Sequence, residues 1–449
     1  MLGPPLQYQS LKTVLLHTDP NTRFRISAQM PSIRDVEKVV PLKMSSLVIC
    51  GDCTTFVNGT EYRVGIFRHF PKDIVPLHVA LKQNVIGSTF DYDEFGFPFM
   101  AGTNVMLPGD VSFQLRNRAD DRRDTEEDER RYREQLRKHE EALNLQAELK
   151  CKGITVEDYL KDRLDREEVR MRYILTSSPD SVSHRIESYK LSLLPFDCRR
   201  NNTKTPIACY VQLTVTKGES RQINRFEYNK KFFEACKYLN EALFGRRKVP
   251  IQVGRFELNY WKTIYRLPIG FQLHAKHVRT AESNLAHASF LSLVENSERL
   301  ESIEMKYGGR GDAFQTETVR RVKHLVIMDA HNFEMQRLTQ TIRNLPNLEI
   351  TIVDLSCPVE EIFNLIQAWL SANQPVGASC CIELQDEETA ENILRLVQTQ
   401  YERSNRNNRC VTIEKTNSTR VDVFYVPFAP SRSYRRDIQW ELKFRVVNV

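Results

Sequence analysis

Cys50-Gly51-Asp52-Cys53 is the first place in this sequence where residue types and spacing could support chemistry. Paired thiols at this separation can bind zinc or exchange a disulfide. A structural zinc site takes four ligands, and no second pair stands at a standard spacing. A redox pair is expected to open a helix, where the thiolate is stabilised. Here the pair follows one strand candidate and precedes another, so it reads as a turn carrying thiols. Cys380-Cys381 sit on a strand candidate, where neighbours point to opposite faces and suit packing rather than chelation. His274 and His277 would be close on a helix, but "GFQLHAKHV" reads as a strand and the odd offset separates them. The glycine-rich "KYGGRGD", Lys306 to Asp312, matches neither the P-loop nor the full dinucleotide spacing and reads as a loop. The basic clusters "FGRRK" and "YRRD" lack the interleaved aromatics of a single-strand nucleic-acid binder. No Ser/His/Asp or Cys/His set can be assembled. The expectation is no catalytic residue, no metal ligand and no cofactor.

Composition frames these motifs. The chain has 449 residues, 41% of them hydrophobic, and a net charge of +6. That length allows about two or three domains, and that apolar share supports proper cores. So small a charge excess does not argue for nucleic acid. Ten cysteines lie scattered without a framework spacing. The opening "MLGPPLQYQS" has neither the basic nor the apolar region of a secretory signal. No apolar run approaches the roughly 20 residues of a membrane span. A cytoplasmic or nuclear protein with free thiols and no membrane contact is expected.

The elements that would position any site begin with helices. Leu11, Val14 and Leu15 make one apolar stripe, and Phe24 and Ala28 continue a second, four residues apart. Asp19 followed by Pro20 is an N-cap with proline in the first turn. Leu47-Val48-Ile49 is a strand candidate. In "FVNGTEYRVGI", Asn58-Gly59 supplies the positive φ angles of a type I′ turn between β-rich runs. Residues 116–150 are mostly charged, with Glu126–Arg130, Glu127–Arg131 and Glu134–Lys138 spaced to support a solvated helix. Tyr132, Leu136, Leu143 and Ala147 give it a thin apolar seam. Tyr189, Leu191 and Leu193 alternate like a strand, as do Cys209, Val211, Leu213 and Val215. A helix from about Asn229 to Phe244 follows, with Gly245 at the C′ position.

From Val249 onward strands alternate with helices: "RFELNY", "FQLHAK", "LESIEMK", "VKHLVIM", "LEITIVDL" and "SCCIEL", with helices over Glu360–Leu370 and Glu387–Tyr401. Leu300-x-x-Ile303-x-Met305, Val322-x-x-Leu325-x-Ile327 and Leu345-x-x-Leu348-x-Ile350 match a leucine-rich repeat core, their starts 22 and 23 residues apart. Stacked strand–helix units bury the apolar face that each alone leaves open. "DVFYV" and "WELKFRVV" are expected to close the sheet edge. The fold class expected is α+β. An N-terminal helical hairpin and β-sheet region spans 5–115, and a long charged helix, as insertion or linker, spans 116–170. Strands and a helix completing or bridging the sheet span 171–248. An irregular leucine-rich-repeat-like α/β domain spans 249–449.

"LKTVLLHTDPNTRFRISAQMPSI" resembles the helical hairpin of an F-box, in which two helices joined at a corner dock on a Skp-type adaptor. "VEKVVPLK", "NGTEYRVGIFRHF", the charged helix, "RLPIGFQL", "IFNLIQAWL", "LQDEETAENI" and "WELKFRVV" extend the likeness over nearly the whole chain. Together they resemble the expanded nematode family of F-box-C-like proteins, which carry a domain of unknown function after the hairpin. The resemblance implies a non-enzymatic interaction protein inside the cell. Its hairpin would recruit a cullin-type ubiquitin ligase and its C-terminal region would read a protein target. Leu11, Val14 and Leu15 would be the docking stripe, with Phe24 and Ile26 on the second helix. The sequence departs from the general F-box pattern at Gln9-Ser10-Leu11, in place of a Leu-Pro opener. It departs again at Ser32-Ile33, in place of a later tryptophan. The same apolar residues can instead cover the first sheet. A lineage-specific scaffold without ligase contact also stays open, as does a small-molecule enzyme using the carboxyl ends of the C-terminal strands.

Overall fold

The structure is a computed structural model that describes residues 8–71, 86–100, 102, 105–112, 124–160, 172–259, 264–280, 293–294, 297–298, 300–307, 312–328, 335–353, 355, 357–372, 374–401, 404–416, 418–428 and 438–449. They belong to two compact units interleaved along the chain. One comprises Met1–Gly59, Leu107–Leu115 and Leu243–Val449, the other Thr60–Met106 and Arg116–Ala242. Both mix helix with strand, so the α+β class holds. No helix among the described residues is long and apolar enough to cross a membrane.

The first unit opens with helices α1 (Tyr8–His17), α2 (Pro20–Gln29) and α3 (Arg34–Val39). Asp19 caps α2 by accepting the Thr22 N–H at 3.1 Å, and Pro20 occupies its first turn. The buried face of α2 is Pro20, Arg23, Phe24 and Ser27, at helical spacing. The expected pair of Phe24 with Ala28 is corrected, since Ala28 is exposed; the inward face includes a charged residue that an apolar pattern overlooks.

The sheet of this unit contains β1 (Lys43–Cys50), β2 (Thr54–Val57), β3 (Ile251–Asn259), β4 (Leu273–Thr280), β5 (Ser302–Lys306), β6 (His324–Met328), β7 (Glu349–Val353), β8 (Ser379–Leu384), β9 (Ser404–Asn407), β10 (Cys410–Thr416), β11 (Thr419–Pro427) and β12 (Trp440–Asn448). Its order is β9-β10-β11-β12-β8-β7-β6-β5-β4-β3-β1-β2. From β1 through β3 to β8 all neighbours run parallel. The remaining pairs are antiparallel. The last strands therefore do not close the edge as expected. β12 lies inside the order, against β8, and among the described strands β9 is the rim. A Cβ at Gly254 would meet the Ser45 carbonyl oxygen at 2.6 Å, so the close approach of β3 to β1 requires glycine there.

Parallel register aligns Ile303, Leu325 and Ile350 across β5, β6 and β7. The third leucine-rich match is therefore out of phase: Leu348 precedes its strand and is 39% exposed. Asn58 and Gly59 hold φ angles of 49° and 77°, as the expected turn demands.

In the second unit, strands Thr60–His69, Ala208–Lys217 and Ser220–Glu227 pair antiparallel. Helix Glu126–Cys151 opens on a capping box between Thr125 and Asp128 and packs on helix Pro179–Arg200. Ala142, Ile174, Leu175, Val182 and Ile186 form their shared core. The strand expected over Tyr189, Leu191 and Leu193 is corrected, because these residues are helical. Ser178 accepts the Ser181 N–H, Pro179 opens the first turn, and Val182, Ile186, Leu193 and Phe196 bury one helical face. A helix start signal outweighs a short alternation that either period can produce. Helix Phe232–Phe244 ends in Gly245, but the left-handed residue is Arg246, at φ 59°.

Candidate functional site

The parallel strands β5, β6 and β7 alternate. Ile303, Met305, Leu325, Ile327, Ile350 and Ile352 are buried, while the residues between them are half-buried. Helices Met335–Arg343, Val359–Ser371 and Glu387–Gln400 bury their own apolar stripes. The position of the Val359–Ser371 helix follows from Trp369, whose ring meets Phe444 edge-on at 5.0 Å. Phe444 pairs with Cys380, which aligns with Ile350 and Leu325, so this helix covers the apolar face. Purely parallel sheets are ordinarily covered on both faces. Here the opposite face carries polar residues in register.

One row on that face is His277, Ser302, His324, Glu349 and Ser379, and the next is Arg279, Glu304, Val326, Thr351 and Cys381. Neighbouring side chains in each row stand about 4.8 Å apart. Glu304 is central, with Arg279 Nε at 3.3 Å and Arg255 Nη2 at 3.4 Å. Burial pushes its carboxyl pKa up, while Arg279 and Arg255 oppose the shift. His277 Nδ1 lies 2.9 Å from Ser302 Oγ, and His324 Nε2 lies 2.9 Å from Thr351 Oγ1. Such a ladder offers donors, acceptors and both charge signs at regular spacing, which suits recognition of another polar chain.

The F-box-like residues fall in different environments. Leu15 and Phe24 are buried at 1% and 7% exposure, Leu11 and Ile26 are half-buried, and Val14 is 50% exposed. Phe24 meets Phe244 edge-on at 6.0 Å. Leu15 is the buried residue of α1, and Tyr8, Val14 and Leu16 remain open to solvent.

Three residues that sequence reasoning missed hold the hairpin in place. Arg23 donates from Nε to Glu37 Oε1 at 3.1 Å and from Nη1 to the Pro41 carbonyl at 2.8 Å. Its Nη2 reaches the carbonyls of Glu37 and Val40 at 3.0 and 2.9 Å. It thus adds donors to carbonyls in and just past the last turn of α3, where the helix's own i+4 donors run out. Arg247 Nη2 donates to both oxygens of Glu37, at 2.9 and 3.2 Å, and to the Leu243 carbonyl at 3.1 Å. All three side chains are buried. Burial pushes both guanidinium pKa values down, and Glu37 holds them up. Within the "FGRRK" cluster, Arg247 therefore lies inside. Arg23 gives one signal in sequence, since it lies three residues after Pro20 and one before Phe24, on the inward stripe.

The other motifs resolve individually. Cys50, Cys380 and Cys381 are not disulfide-bonded, whereas Cys53 and Cys236 are. That corrects the expectation of free thiols throughout, because disulfide pairing is a tertiary property that spacing does not reveal. "KYGGRGD" lies largely outside the described residues, and "YRRD" wholly so. Among the described residues, no group of ≥ 3 His, Cys, Asp or Glu could hold a metal ion.

The second unit contains a buried carboxyl. Asp91 Oδ1 accepts the Tyr228 hydroxyl at 2.5 Å and the Phe232 N–H at 2.9 Å, while Oδ2 has no partner. Burial pushes its pKa up, and the Tyr228 hydrogen bond opposes. A raised folded pKa means that Asp91 favours the folded state in acid and that this contribution is lost as pH rises through the folded value. The stability of Asp91→Asn relative to wild type is expected to increase from about pH 4 to pH 8. Urea midpoints across that range measure it, and a constant difference would refute the assignment. A concavity of about 500 Å³ also lies in this unit, over Phe196. Its charged rim is self-paired, with Arg133 and Arg200 both meeting Glu129.

A family model described as a domain of unknown function (DUF3557) matches residues 231–386. The matched stretch includes β3 to β8 and ends just past β8. No curated protein and no solved structure matches the chain.

Proposed function

We propose that the protein is a non-enzymatic interaction module that reads a protein target on the polar face of β3 to β8. The carrying observation is the in-register polar ladder of His277, Arg279, Ser302, Glu304, His324 and Thr351, on the face opposite the apolar one that the Val359–Ser371 helix covers around Trp369. An irregular leucine-rich-repeat-like use of that face fits this arrangement. The F-box resemblance adds a second surface: α1, docking on a Skp-type adaptor of a cullin-type ubiquitin ligase. Its solvent-facing Val14 supports that reading, and the buried Leu15 and Phe24 would hold the helix in position.

Quantitative affinity purification of the full chain tests both surfaces. Val14→Asp is expected to cut adaptor and cullin recovery about tenfold or more, with circular dichroism unchanged. Thr351→Arg is expected to lose target proteins while retaining the adaptor. Wild-type capture of targets without adaptor or cullin would replace the ligase reading with a scaffold. Capture indifferent to both variants would remove the two surfaces from consideration.

A further inference from the structure

Among the described residues, the strand Ser220–Glu227 is the rim of the second unit's sheet, bonded to Ala208–Lys217 on one side. It is eight residues long and exposed along nearly its whole length. Native edges are normally blunted by proline, charged side chains, a bulge, shortness or a covering element. This one, "SRQINRFE", has no proline, its register runs without a break from Lys217↔Ser220 to Tyr210↔Glu227, and its charges, Arg221, Arg225 and Glu227, are of both signs. Ile223 and Phe226 stand on it at 38% and 54% exposure.

The hairpin geometry decides which backbone groups face outward. Gly218 takes φ 56° in the tight turn with Glu219, so Lys217 and Ser220 form the first hydrogen-bonded pair. Pairs then alternate along an antiparallel ladder. Ser220, Gln222, Asn224 and Phe226 spend their backbone groups on the neighbouring strand. Arg221, Ile223, Arg225 and Glu227 turn theirs toward the open edge. The carbonyl of Glu227 accepts the Asn229 N–H at 2.9 Å and keeps a second lone pair.

We infer that this edge is a homodimer interface, in which the strand pairs antiparallel with the same strand of a second copy about a two-fold axis at Asn224. A two-fold contact must be self-complementary. Only the register centred on Asn224 joins every outward-facing residue to another: Ile223 to Arg225 of the second copy, and Arg221 to its Glu227. The latter pair places opposite charges face to face, and symmetry repeats it. Centring on Ile223 would set Arg221 against Arg225, and centring on Arg225 would set that arginine against itself. Gln222 meets Phe226 of the second copy on the other face, so the exposed ring gains cover. Charge complementarity thus selects both the occupant and the register.

Light scattering coupled to size exclusion, over a dilution series of the full chain, tests the interface. The wild type is expected to dimerise. Arg221→Glu and Glu227→Arg each set like charges opposite each other twice per dimer. Each is expected to weaken dimerisation about tenfold or more. The double variant Arg221→Glu/Glu227→Arg restores opposite charges and is expected to recover the wild-type constant. These side chains are exposed, and circular dichroism verifies that every variant is folded. A wild type that stays monomeric at all concentrations overturns the inference. So does a dimer indifferent to the single reversals, or a double variant no better than the singles. Association with an unrelated extended peptide in place of self-pairing would also overturn it.

Discussion

Glu37→Gln is expected to destabilise the protein by about 3–5 kcal/mol, the cost typical of removing one partner from a buried ion pair. Glutamine keeps nearly the same shape, so the loss reports the charge. Arg23 and Arg247 would remain inside, at 1% and 4% side-chain exposure, without their counter-charge. The arrangement already leaves Nε and Nη1 of Arg247 without partners, so it has little tolerance for a further loss. Urea unfolding followed by circular dichroism measures the effect. Replacing the three together, as Arg23→Met/Glu37→Leu/Arg247→Met, should cost less than the single change, because neither buried guanidinium is then left without its counter-charge. An unchanged urea midpoint for Glu37→Gln would show that water reaches the cluster.

Trp369→Ala is expected to cost about 3–5 kcal/mol by leaving a cavity between the Val359–Ser371 helix and β12. The side chain is 1% exposed and among the largest of the fully buried ones. Its edge-on contact with Phe444 adds to the burial. Trp369→Phe keeps most of the apolar contact and should lose markedly less. The same unfolding experiment compares the two variants, and equal losses would argue against a filled site.

Sequence reasoning succeeded where one local signal dominates. Asn58-Gly59 has few conformational options, and Asp19-Pro20 marks a helix start by its chemistry. The strands around Leu47, Ile303, Leu325 and Ile382 are legible because branched apolar residues recur at the strand period. The charged helix is legible from its composition, although of the expected ion pairs only Glu134–Lys138 forms; Glu129–Arg133 and Glu141–Arg137 take the others' place. Tyr189 to Leu193 misled because so short a segment fits both periods, and the cap at Ser178 was the deciding signal. Arg23, Glu37 and Arg247 were illegible for a different reason. A charged residue reads as surface until its counter-charge is known, and Arg247 is 210 positions from Glu37. The polar face was partly readable: "LESIEMK" and "VKHLVIM" alternate, whereas parallel strands buried on both sides read as continuous apolar runs.

The pairing of β1 with β3 also carries a consequence for biosynthesis. β1 emerges from the ribosome early, yet its parallel neighbour begins at Ile251, after the stretches that form the second unit have been made. At roughly 5–20 residues per second, the interval is on the order of ten seconds or more. For that time one side of a nascent strand carrying Leu47, Val48 and Ile49 waits without its mate, while the inserted unit has already emerged in full. The order of maturation is therefore inner segment first, outer segment last, and the window for misassociation or chaperone capture falls on the N-terminal strand.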